Sequence, residues 1–142
     1  MKIVIDSNVL VATLKSSRGA SYKLISLLPS GAFSTVISVP LAVEYEAVLK
    51  RVDLPPDLTH KDIDNFIDYL CGVSEHQDIY FLWRPFLPDP FDDHILEVAV
   101  ASKCDAVVTY NKRDFRGIEK FGLNLFDPKE LLKKLEKIKW AP

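Results

Sequence analysis

The chain has 142 residues, 48% apolar and 27% charged, with 18 basic against 20 acidic side chains and a net charge of −2. This composition suits one soluble globular domain over 1–142, and a slightly acidic balance gives no electrostatic footprint of a nucleic-acid binder. No apolar run reaches the ~20 residues of a membrane span. No signal peptide is readable in MKIVIDSNVLVATL, and Cys71 and Cys104 read as buried thiols of a cytoplasmic protein.

Lys2 to Ile5 (KIVI) is a compact β-branched run ending at Asp6, the first expected strand. Apolar residues from Arg18 to Leu28 follow helical spacing, and Pro29, Ser30 and Gly31 stop them. A second strand is expected over Thr35 to Val39. Pro40 then opens a helix running to about Val52, with Pro55 and Pro56 beyond it. Thr59 and Asp62 form a capping-box variant before a helix whose stripe is Ile63, Phe66, Ile67, Leu70 and Cys71. Ile79 to Trp83 reads as a third strand. The proline-broken loop RPFLPDPFDD follows, then a helix from about Asp92 to Lys103. Ala106 to Thr109 and Leu123 to Phe126 are a fourth and a fifth strand. Asp127-Pro128 opens a last helix with Leu131, Leu132, Leu135 and Ile138 on one side.

Strands alternating with helices predict an α/β fold, a three-layer α/β/α arrangement with a mostly parallel sheet. Right-handed crossovers bring strand C-termini and the following helix N-termini to one sheet edge, where open α/β sheets bind ligands. Asp6, Glu44, Asp92, Asp93, Asn111 and Asp114 all fall at that edge. An acid at a helix start is often only a cap or a dipole partner, an even alternative for Asp92. Asp6 ends an apolar strand, where a buried carboxylate needs partners. Gathered carboxylates repel unless a cation holds them together. All-oxygen ligands suit Mg²⁺ or Mn²⁺, which would activate water for phosphodiester hydrolysis. Asn8, Ser7 and Thr109 are placed to orient the carboxylates.

The runs VIDSNVLVATL, SVPLAVEYEAVL and DPFDDHILEVAVASKCDAVVTYNKRDF together resemble the PIN domain family, most closely its small prokaryotic toxins of toxin–antitoxin systems, similar to VapC. The resemblance implies a sheet of about five parallel strands and metal-dependent endoribonuclease activity with Mg²⁺ or Mn²⁺. It implies Asp6, Glu44 and Asp93 as metal-binding catalytic acids, with Asp92 assisting. Many members carry an aspartate where this chain has Asn111, and Asp114 is the candidate to supply that charge. An antitoxin protein and a homodimer are family-level expectations.

Lys112, Arg113 and Arg116 are candidates for RNA phosphates, with Lys120 beside them and Arg18 and Lys23 on an opposite rim; a solvated charged loop is the alternative. His94 reads as a surface histidine. Trp83, Phe86 and Phe91 read as a hydrophobic plug or dimer contact. Two other readings stay open. One is a haloacid-dehalogenase-type phosphatase, weakened because Asn8 cannot act as the general acid. The other is a non-catalytic PIN-like module binding RNA or protein. The five glycines form neither a dinucleotide fingerprint nor a P-loop.

Overall fold

The computed structural model describes residues 1–79 and 86–140, with the backbone alone at 90, 91 and 138–140. The first β-branched run forms β1 (Lys2–Ile5). Its neighbours are β2 (Ser34–Ile37) on one side and β4 (Ala106–Val108) on the other. β3 (Glu75–His76) and β5 (Asn124–Phe126) are the edges. The order is β3-β2-β1-β4-β5, with every pairing parallel. Ile3, Val4, Ala106, Val107 and Val108 have no exposed surface. Central strands closed off in this way must be covered on both faces, so the helices form two outer layers of an α/β/α sandwich.

Among the described residues six helices do this: α1 (Ser7–Lys15), α2 (Ala20–Ser26), α3 (Val39–Arg51), α4 (His60–Val73), α5 (Pro90–Ala101) and α6 (Pro128–Trp140). Helix α1 is an addition to the sequence reading, which assigned no helix there. Asp6 caps it by accepting from Ser7 N–H, and its buried residues Val9, Leu10 and Thr13 follow helical spacing. The α2 segment is shorter than the expected 18–28, because a 3₁₀ turn at Leu28–Ser30 takes over. Ser38 caps α3 through Leu41 N–H, with Pro40 in the first turn. The capping box of α4 is complete in both directions between Thr59 and Asp62. The edge strand β3 lies four residues before the strand expected at Ile79 to Trp83. Ile79 itself is not in a strand, and 80–83 lie outside the described residues.

The sheet order reverses at β1: the chain winds outward through β2 and β3, then returns to β4 on β1's other side. That reversal opens a crevice above the C-terminal ends of β1 and β4. The ladder runs on into this crevice, since Asp6 N–H donates to the Val108 carbonyl and Thr109 N–H to the Phe126 carbonyl, both at 2.9 Å. Tyr45, buried in the middle of α3, donates its phenol to the Ile5 carbonyl and so fixes α3 against the end of β1.

Candidate active site

A cleft of about 640 Å³ stands at this edge, lined by carboxylates from four segments. Asp6 comes from the end of β1 and Glu44 from the second turn of α3. Asp89 and Asp92 come from the start of α5, and Asp114 from the 3₁₀ turn after β4 (Lys112–Phe115). Asn8, Asn111, His94 and Arg51 share the lining.

Asp6 is buried and held on both oxygens. Oδ1 accepts from Ser7 N–H at 2.8 Å; Oδ2 accepts from Thr109 Oγ1 at 2.8 Å and Asn8 Nδ2 at 3.2 Å. Asn8 is fixed in turn, because its Oδ1 accepts from Tyr110 N–H at 3.3 Å. Thr109 Oγ1 accepts from Asn111 N–H at 3.0 Å, tying the start of the post-β4 loop to the same group. Burial raises the Asp6 pKa, the Thr109 and Ser7 hydrogen bonds oppose it, and the charges of Asp114 and Asp89 add to it.

Glu44 is half-buried, and its Oε2 is enclosed without a hydrogen-bond partner. Its pKa is raised by burial and by the Asp6 and Asp89 charges, against the lowering effect of His94 and Arg51. Asp92 is pushed up to about 7, by burial first and then by Asp6, Asp89, Asp114 and Glu44. These shifts have one electrostatic origin. Several negative groups share a partly desolvated volume, and each makes the next harder to ionise.

Asp93 takes a different place. It is buried, it is not among the cleft-lining residues, and its Oδ1 accepts from the backbone N–H groups of Leu87 (3.0 Å) and Phe86 (3.3 Å). Its Oδ2 is enclosed without a partner. Asp93 therefore braces the segment that leads to Asp89, while its neighbour Asp92 faces the cleft. Asp89 had no place in the sequence reading. The available signal was its position directly before Pro90, where an acid caps a helix whose first residue is proline.

Of the basic candidates, Lys112 is engaged elsewhere: its Nζ pairs with Glu130 Oε1 of α6 at 2.5 Å. Arg113, Arg116, Arg18 and Lys23 are exposed and do not line the cleft. Lys120 lies 4.9 Å above the Phe86 ring, which meets Phe121 edge-on at 5.3 Å. Phe86 thus packs on the segment after β4; Trp83 and the Phe91 side chain lie outside the described residues. His94, expected on the open surface, lines the cleft with Nδ1 3.9 Å from Oε2 of the buried Glu97.

The donor set suits a hard divalent cation: five carboxylates against a single imidazole, with one enclosed glutamate oxygen lacking any partner. Among the described residues no three His, Cys, Asp or Glu side chains converge tightly enough to ligate one ion by themselves.

A family model described as PIN domain matches residues 2–113, which covers β1 through β4 and every acid of the cleft except Asp114. Among solved structures, a chain of the crystal structure of VapBC2 from Rickettsia felis bound to a DNA fragment from their promoter superposes with a TM-score of 0.63. The identity is 16%, and the match covers 89% of this chain and 100% of that one. No curated protein matches the sequence. With the family's model matched over most of its length and an all-parallel five-stranded sheet of the same fold, the chain belongs to the PIN domain family.

Proposed function

We propose that this protein is a metal-dependent endoribonuclease that hydrolyses RNA phosphodiesters in the acidic cleft, and that it serves as the toxin of a toxin–antitoxin pair. The observation that carries the reading is the cleft itself: five carboxylates, among which burial and the neighbouring acids raise the pKa values of Asp6, Glu44 and Asp92, around the unpartnered Oε2 of Glu44. PIN family membership supports the nuclease class and leaves the phosphatase alternative without support. Asn8 acts in this reading as a hydrogen-bond donor to Asp6 and Thr109.

Asp6, Glu44 and Asp92 would face the ion, one or two of them binding it directly and the rest through its waters, with Asp89 and Asp114 completing the negative wall. Asp114 stands in for the charge that Asn111 lacks. A bound Mg²⁺ or Mn²⁺ supplies Lewis acidity toward the phosphate and a more acidic water. The protein's own work is orientation. Thr109 and Asn8 hold the Asp6 carboxylate at a fixed angle, and Tyr45 fixes the helix that carries Glu44. Asp93 positions the Asp89 segment from behind and takes no part in holding the ion in this reading.

The partner would be an antitoxin protein, by analogy with the VapBC2 complex. The chain would act as a single PIN-like domain over 1–142, as a homodimer in the cytoplasm. Among the described residues no helix is long and apolar enough to cross a membrane.

The test is cleavage of an end-labelled RNA with Mn²⁺, by the wild type and by Asp6→Asn. The substitution removes a charge with little change of shape, so the variant should fold and lose at least about 100-fold in rate. Chelation of the metal should stop the wild type equally. Full activity of the variant would contradict the mechanism.

A further inference from the structure

Helix α3 presents two faces. Leu41, Tyr45 and Leu49 point into the core, while Val39, Val43, Ala47 and Arg51, each four residues apart, form one ridge along the cleft. Val39 is 72% exposed and Val43 60%, so this is apolar surface left facing an acidic crevice. An apolar ridge offers contact area to nucleobases but nothing to their phosphates. The cleft's other charged residues are five acids and His94, leaving Arg51 as its single permanent cation among the described residues.

Arg51 is also disengaged. Its neighbour Lys50 is held by Glu46 at 2.8 Å and Asp64 at 2.7 Å, whereas no hydrogen bond or ion pair holds Arg51 among the described residues. Its charge is felt at Glu44, where it lowers the pKa. Arg51 lies seven positions after Glu44, a rise of about 10 Å, so it stands beyond the acids along the same helix.

We propose that Arg51 binds a phosphate flanking the scissile one, and thereby seats an unpaired RNA strand along the exposed ridge of α3. The proposal rests on the nuclease reading above. A guanidinium offers two parallel donors to one phosphate, and its distance from the acids makes the contact one of binding. The same contact exists before and during the reaction, so it acts on KM and leaves kcat in place.

The experiment is steady-state cleavage of a short fluorescein-labelled single-stranded RNA with Mn²⁺, over a series of KCl concentrations. The proteins are the wild type, Arg51→Gln and Arg51→Lys. Arg51→Gln should raise KM about tenfold with kcat within about twofold. It should also flatten the dependence of log KM on log salt by about 0.7, the contribution of one phosphate contact on a single strand. Arg51→Lys should restore the salt slope, a recovery that a merely structural role would not produce. An unchanged KM and slope in Arg51→Gln, or a fall in kcat at constant KM, would overturn the assignment while leaving the nuclease reading intact. RNA left whole by the wild type would overturn the nuclease reading and this one together.

Discussion

The two ends of the central sheet treat charge in opposite ways. At the N-terminal end, Asp105 and Glu75 each meet a donor. Asp105 accepts from Lys2 N–H at 2.8 Å, and Lys2 Nζ reaches Glu75 at 3.1 Å and the Ser102 carbonyl at 3.1 Å. At the C-terminal end, Asp6, Glu44, Asp89, Asp92 and Asp114 share a cleft with one arginine and one histidine, and burial plus mutual repulsion raises the pKa values of the first, second and fourth. The first arrangement holds neighbouring strands together. The second costs folding free energy and becomes favourable only when something positive enters. A crowded acid edge opposite a compensated one is what separates a binding site from ordinary surface charge.

The sharpest way to break this contrast is to compare adjacent residues on α5. Asp93→Ala should destabilise the fold by about 2 kcal/mol, because it strands the N–H groups of Phe86 and Leu87, whereas Asp93→Asn keeps an acceptor and should stay near wild type. Urea midpoints decide this. A fully stable Asp93→Asn that had lost all Mn²⁺-dependent cleavage would instead make Asp93 a ligand.

Asp92→Asn should do the reverse: raise stability at neutral pH by about 1–2 kcal/mol, after allowance for screening at a half-buried position, while abolishing cleavage. The same residue sets a pH dependence. Its folded-state pKa of about 7 lies above the ordinary 3.8, and those of Asp6 and Glu44 are raised too, so the folded protein keeps protons that the unfolded chain has released. Metal-free stability should therefore be highest below pH 4 as regards these groups, and fall as pH rises toward 7. Thermal midpoints in EDTA should show that fall, and Mn²⁺ should reverse it most strongly at the higher pH, where fewer protons compete. The smallest effect belongs to the opposite edge. Lys2→Ala should cost about 0.5–1 kcal/mol and leave cleavage unchanged.

Much of this was readable before the fold was known. The strand pattern located the edge, and with it Asp6, Glu44, Asp92, Asn111 and Asp114. The phase of α5 was not readable, for a physical reason. Consecutive residues on a helix point about 100° apart, and a core stripe usually says which of two faces inward. On α5 nearly everything from Asp93 to Ala99 is buried, Glu97 included, so no polar face marks the rotation. Helix α1 was hidden differently. Its residues NVLVATL continue the β-branched texture of β1, and only Asp6 as a cap marks the change. Arg51 carried no signal in sequence, since a basic residue in the last turn of a helix is ordinary. Its place becomes meaningful once the ridge from Val39 is seen to border the acids.

The central claim is that a divalent cation relieves the repulsion in this cleft. Anomalous scattering from a crystal soaked in Mn²⁺, at a concentration that supports cleavage, tests it directly. A manganese peak is expected among Asp6, Glu44 and Asp92. A cleft without that peak, under conditions where the protein still cuts RNA, would contradict it.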